Sequence, residues 1–339
     1  MTQLHFDSVV VDSHNDLPIM LSDWYHHIGK TDYFSSWINA CHKGGVKVQV
    51  IPIYLEPQLA EASLRKSLLL IELLHDEIEN HADEVSLCLT GTDIDKALNE
   101  GKIAIIIALE GCSQIGEDVS LFKTFYRMGV RMASFTHLGR TLLADGSGED
   151  ATGSRLPSKG IEALKIMEDL GILMDVSHLS TGGVEHVLQL AKRPVIASHS
   201  SARAICDHHR NLSDEQLKAI ARTGGVIGVN FLPAFIDAKE PSISRVVDHI
   251  EHMVDVVGDR HIGLGPDFIA EWAKTVYPNV EMKIIGIDLK VGIPGLSKTE
   301  DLPNLTNAMR ERGFSESSIR NILGENWLRV FRKDLGIPL

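Results

Sequence analysis

Runs of lysine or arginine are missing from this 339-residue chain, whose 33 basic residues are outnumbered by 46 acidic ones. A formal net charge of −13 leaves no basic face for phosphates, which argues against a nucleic-acid partner. Cysteine is scarce. Cys41, Cys88, Cys112 and Cys206 show no CxxC spacing and no disulfide framework, so reduced, buried thiols are expected. No uncharged apolar run approaches the roughly 20 residues that span a bilayer. The opening MTQLHFDSVV lacks a basic region followed by an apolar stretch, and the closing LRVFRKDLGIPL is charged and amphipathic, unlike a lipid-anchor signal. The expectation is a cytoplasmic protein with no membrane partner. Low-complexity stretches, Pro- or Ser-rich linkers and short repeats are also absent, so residues 1–339 read as one domain. Gly29-Lys30-Thr31 has the ending of a phosphate-binding loop, but Trp24 stands where that loop needs glycine.

What the chain does contain is a recurring pattern. Short, nearly continuous apolar runs rich in β-branched residues occur at 6–12, 46–54, 103–109, 130–136, 172–177, 194–198, 226–231 and 262–266. Such runs mark parallel strands covered on both faces. Between them lie segments of helical periodicity, among them 62–81, 160–171, 212–225 and 251–258. Gly171 is placed to end one helix, and Ser213 followed by Gln216 forms a capping box at the start of another. Eight strands alternating with helices predict an α/β fold of the (β/α)8 TIM-barrel type.

In such a barrel the reactive side chains sit at the C-terminal ends of the strands. His14 and Asp16 follow the first run, Glu110 the third, His137 the fourth, His178 the fifth, His199 the sixth and Asp267 the eighth. Alternate residues of a strand point the same way, so the His-x-Asp pair is expected to face one centre. Imidazole and carboxylate are the usual zinc ligands where sulfur is absent, and a pair of metals needs a bridging carboxylate. Glu110 suits the bridge, with His14 and Asp16 completing one site and His178 and His199 the other. A water held between two such cations loses a proton near neutral pH and attacks a carbonyl. Asp267 is then free to act as general base and acid, and His137 to stabilise the oxyanion. Cys112, two residues after Glu110, is a further candidate ligand.

These residues resemble those of the membrane (renal) dipeptidases, metallopeptidases of the amidohydrolase superfamily. His14-Asn15-Asp16-Leu17-Pro18 looks like the family's opening motif, 198–217 (SHSSARAICDHHRNLSDEQL) matches its longest signature, and DVSHL (175–179) and GENWLRVF (324–331) also fit. The resemblance implies a metal-dependent hydrolase of the amidohydrolase fold with two zinc ions per chain, cleaving dipeptides including those with a C-terminal D-residue. It implies that Arg210 holds the substrate's terminal carboxylate, with His137 beside the substrate, and that a homodimer is an expected state. Ser13 stands where the family usually has glycine. The family's DFDG motif reads Asp267-Phe268-Ile269-Ala270 here, and the segment 138–150 also departs from its pattern. These departures keep a second substrate class open, another small amide such as an N-acyl-D-amino acid.

Overall fold

The computed structural model describes residues 3–29, 32–55, 62–284 and 287–337; Lys30 and Thr31 lie outside the described residues. In chain order its strands are β1 (Val10–Asp12), β2 (Val46–Tyr54), β3 (Val85–Leu87), β4 (Ile103–Glu110), β5 (Val130–Ser134), β6 (Leu173–Asp175), β7 (Val195–Ile196), β8 (Ile227–Val229) and β9 (Ile262–Leu264). Eight of them form a parallel ring in the order β7-β6-β5-β4-β2-β1-β9-β8. A single bridge between Ala197 and Ile227 joins its ends, so the eight-stranded α/β barrel expected from the sequence is nearly closed.

Two features escape the sequence pattern. β3 stands outside the ring and pairs with the first half of β4, Val85 opposite Ile103, before β5 takes that edge from Ile107 onward. A small antiparallel hairpin, β10 (Lys283–Ile284) and β11 (Ile287–Asp288), lies late in the chain. The ring strands are also shorter than the apolar runs. Stretch 6–12 gives its first residues to a helix, Gln3–Asp7, and pairs only from Val10.

Alternation along the strands separates two cores. Ile103, Ile105, Ile107 and Leu109 of β4 face the surrounding helices, whereas Ala104, Ile106 and Ala108 face the barrel axis. Glu110 continues that inward series, which is why a carboxylate ends inside the barrel. Val11, Val48, Val50, Met132, Leu173 and Ile196 fill the axis from the other strands. The C-terminal helix, Asn326–Asp334, completes this inner core with Trp327, Leu328 and Phe331. Trp327 sits against Gly263, where any Cβ would fall 2.2 Å from the indole nitrogen. The predicted helices form at Ser63–Asn80, Ser158–Leu170, Asp214–Arg222 and Ile243–Val257. Gly171 ends the second at φ 78°, and Ser213 and Gln216 make both bonds of the capping box.

Candidate metal centre and substrate cavity

Of the seven polar residues expected at the strand ends, Glu110 alone is still within its strand. His137, His178, His199 and Asp267 each come three residues after the last strand residue, Ser134, Asp175, Ile196 and Leu264 respectively. β1 stops at Asp12, so His14 and Asp16 are not aligned by strand alternation as expected. The Asp12 carboxylate instead accepts the His14 backbone N–H at 3.0 Å, and Asp16 directly precedes the helix Leu17–Ile28. His178 and Asp267 have φ of 72° and 60°, the only left-handed backbones outside glycine among the described residues. A conformation of this kind costs roughly 1–3 kcal/mol and persists only where its surroundings over-determine it. Here it turns two side chains inward.

All seven meet above the barrel axis. The Oε1 atom of Glu110 lies 2.9 Å from His178 Nε2 and 3.5 Å from both His14 Nε2 and His199 Nε2. His178 and His199 bring their Nε2 atoms to 2.8 Å, close enough to converge on one ion. His14 Nε2 is 3.8 Å from Asp16 Oδ1. Donor atoms of His14, Glu110 and His199, of Glu110, His137 and His178, and of His14, Asp16 and Asp267 form three groups whose members lie within 4.8 Å. Nitrogen and carboxylate oxygen gathered in this way fit divalent metal ions. Cys112 turns away: its thiol donates to the Ser134 carbonyl, and burial holds it protonated.

The electrostatics agree with that chemistry. Burial opposes a charge on His14, but Glu110, Asp16 and Asp267 outweigh it and raise the imidazole to about 10. Burial, with further push from Glu110, raises Asp16; burial likewise raises Asp267. Glu110 is buried too, yet His14 and His178 hold it well below the usual carboxylate range. Burial keeps His137, His178 and His199 neutral, His137 at about 4. Negative potential collects where the carboxylates converge, and neutral imidazoles stand around it with nitrogen lone pairs. This is an environment for cations.

Above the cluster opens a cavity of about 510 Å³. Asp16, Glu110, His137, His178 and Asp267 line it, and so does Arg210. Arg210 is 4% exposed; its Nη2 donates to the His199 carbonyl at 3.3 Å, and its Nε meets no acceptor among the described residues. Burial lowers the guanidinium only to about 10, so it stays charged. Much of the remaining wall is apolar, and Phe235 lies beside Arg210, its ring centroid 5.5 Å from the guanidinium carbon. Leu232, Phe235, Ile269, Trp272 and the hairpin residues Met282 and Ile287 form a cluster separate from both barrel cores. Sequence reasoning missed Trp272 and the hairpin, since nothing local announces that they reach the site. Of the divergent segment 138–150 only Leu138 lines the cavity; Arg140 instead pairs with Asp145 at 2.5 Å.

Residues 1–335 match the family model described as membrane dipeptidase, peptidase family M19. The chain belongs to the membrane dipeptidase family. It is 29% identical over 348 residues to dipeptidase verJ of Clonostachys rogersoniana, spanning 96% of this chain and 84% of that one. Its fold superposes on the crystal structure of dipeptidase AC, a metallopeptidase, with a TM-score of 0.84 at 24% identity, covering 97% and 99% of the two chains. A metallopeptidase from Rhodobacter sphaeroides, liganded with a phosphinate mimic of L-Ala-D-Ala, gives 0.83 at 23% identity over 97% and 100%. The protein is thus a metal-dependent dipeptidase on a TIM barrel.

Proposed function

We propose that this dipeptidase binds two zinc ions per chain and hydrolyses dipeptides, including those with a C-terminal D-residue. Arg210 is the observation that carries the substrate reading. A guanidinium this deeply buried needs an anion, and the described residues leave its Nε without an acceptor. A free C-terminal carboxylate, held in a bidentate contact, supplies one. The dipeptide mimic in the Rhodobacter sphaeroides relative supports the D-residue at that end.

Glu110 would bridge the ions, His14 and Asp16 would complete one site, and His178 and His199 the other. Bound there, two zinc ions would activate the attacking water and supply positive charge for the scissile carbonyl oxygen. The chain does the rest. Neutral His137 faces the carbonyl as a hydrogen-bond donor to the developing oxyanion. Asp267, left outside the ligand set, takes the proton of the attacking water and returns it to the departing amine. Asn230 Nδ2 donates to Asp267 Oδ2 at 3.0 Å and fixes which way that carboxylate points.

The test is release of free amino acid from matched L-Xaa-L-Xaa and L-Xaa-D-Xaa dipeptides and their N-acetylated counterparts, with a chelated control. Chelator-sensitive cleavage of the free-amine pair, D-residues included, is the expected result. Cleavage of the acylated compounds alone would overturn it in favour of deacylation. Asp267→Asn should keep both ions while turnover falls by roughly 10²–10⁴. Loss of metal from that variant would place Asp267 among the ligands instead.

A further inference from the structure

We infer that Asp175 and Ser198 form a relay that fixes the tautomer of His199 and aims its Nε2 atom at the metal centre. The inference rests on the two-metal reading only in taking His199 as a ligand. Asp175 is the last residue of β6, and Ser198 lies two residues past β7, the adjacent strand. Leu173 belongs to the inner core, and Asp175 continues its alternation at the end of β6, where it stands opposite Ile196 of β7.

Proton counting sets the direction of the bonds. Ser198 Oγ lies 2.5 Å from Asp175 Oδ2 and 2.7 Å from His199 Nδ1. The hydroxyl carries one proton, and a carboxylate only accepts. Ser198 therefore donates to Asp175, and its oxygen must receive a proton from His199. His199 holds its proton on Nδ1, which leaves the Nε2 lone pair bare. That nitrogen is the one lying 3.5 Å from Glu110 and 2.8 Å from His178. An imidazole free to choose would place the proton on either nitrogen, and half of those choices could not ligate.

Asp175 also holds the loops themselves. Its Oδ1 accepts the backbone N–H of Ser177 and of Ser198, both at 2.9 Å. These residues immediately precede His178 and His199. Ser177 Oγ in turn accepts the His199 N–H at 3.1 Å. One carboxylate thus ties together the two loops that deliver the two imidazoles. Asp175 and Ser198 are positioning residues: neither lines the substrate cavity. The sequence carries a trace of this device in its two Ser-His pairs, Ser177-His178 and Ser198-His199.

The experiment is zinc titration against a chromophoric chelator on the full-length protein, with nitrogen-labelled histidine spectra reporting the His199 tautomer. Wild type should bind two equivalents and show an Nδ1–H imidazole at His199, assigned by its loss in His199→Gln. Ser198→Ala should bind one of the two equivalents about 10–100-fold more weakly, the range typical of lost support to a ligand. Asp175→Asn preserves shape, so it guards against a folding artefact. Its amide would donate to Ser198, reverse the relay and move the proton to Nε2, again weakening one equivalent. Ser200→Ala, an equally buried serine without a bond to His199, should titrate as wild type. Wild-type affinity in Ser198→Ala or in Asp175→Asn would overturn the relay, as would an Nε2–H tautomer in the wild type. Fewer than two equivalents in the wild type would overturn the two-metal reading instead.

Discussion

At the scale of single residues, the most informative group is a buried cation that makes no salt bridge among the described residues. Arg210 reads in the sequence as an ordinary loop residue, and only resemblance picks it out. The structure shows why the position is demanding, since the guanidinium is buried and its Nε meets no acceptor among the described residues. Removing a partner from a buried charge pair costs about 2–5 kcal/mol. Arg210→Ala should therefore lower kcat/KM for dipeptides by at least about 30-fold, mostly through KM. Dipeptide amides should lose a similar factor against wild type, and no further factor against the variant. Independent losses in that double comparison would remove the carboxylate from Arg210. The seven strand-end residues were legible one by one because imidazole and carboxylate are conspicuous after apolar runs. Asp175 and Ser198 were not, because a polar residue near a strand end is commonplace until its partners are known.

The elements were legible as a series but not in their limits. Apolar runs overstate the strands because residues past the last ladder bond, such as Phe135 and Val176, are still buried against helices. β3 is three residues long and only half-buried beyond Val85, too little pattern to register. The end of β7 depends on small neighbours. A Cβ added at Gly228 would fall 2.1 Å from the Ser198 carbonyl oxygen, and one at Gly265 would fall 1.9 Å from it. The same oxygen accepts Ser13 Oγ at 2.5 Å, so the position has no room to move. Gly228→Ala should cost about 1–3 kcal/mol by overpacking, read as a lower midpoint of thermal unfolding. Because the displaced carbonyl precedes His199, metal affinity should fall with it. A variant that unfolds as wild type does would show that this corner yields easily.

Across the whole molecule, cohesion is uneven around the ring. β2 and β4 pair through seven successive residues, Val48 to Tyr54 against Ala104 to Glu110. β6 and β7 share two pairs, and β7 meets β8 through one bridge. The proposed ligands straddle that difference: Glu110 rides on the well-paired side, His178 and His199 on the weak one. Each ion held at a hundred times its Kd stabilises the native state by about 2.7 kcal/mol. Chelation should therefore lower the unfolding midpoint, and hydrogen exchange should quicken first at Val195, Ala197 and Gly228, not at Val50 or Ile106. Uniform quickening would mean that the seam is no weaker than the rest.

The ring also implies an order of assembly. Strands consecutive in sequence can pair early, whereas β1 and β9 meet through Asp12 and Leu264, far apart along the chain, and loop closure is the slow part of reaching distant contacts. His14 and Asp16 follow β1 and Asp267 follows β9, so the centre would be completed only at the end of folding. In a refolding experiment, return of activity should then trail the return of helical signal.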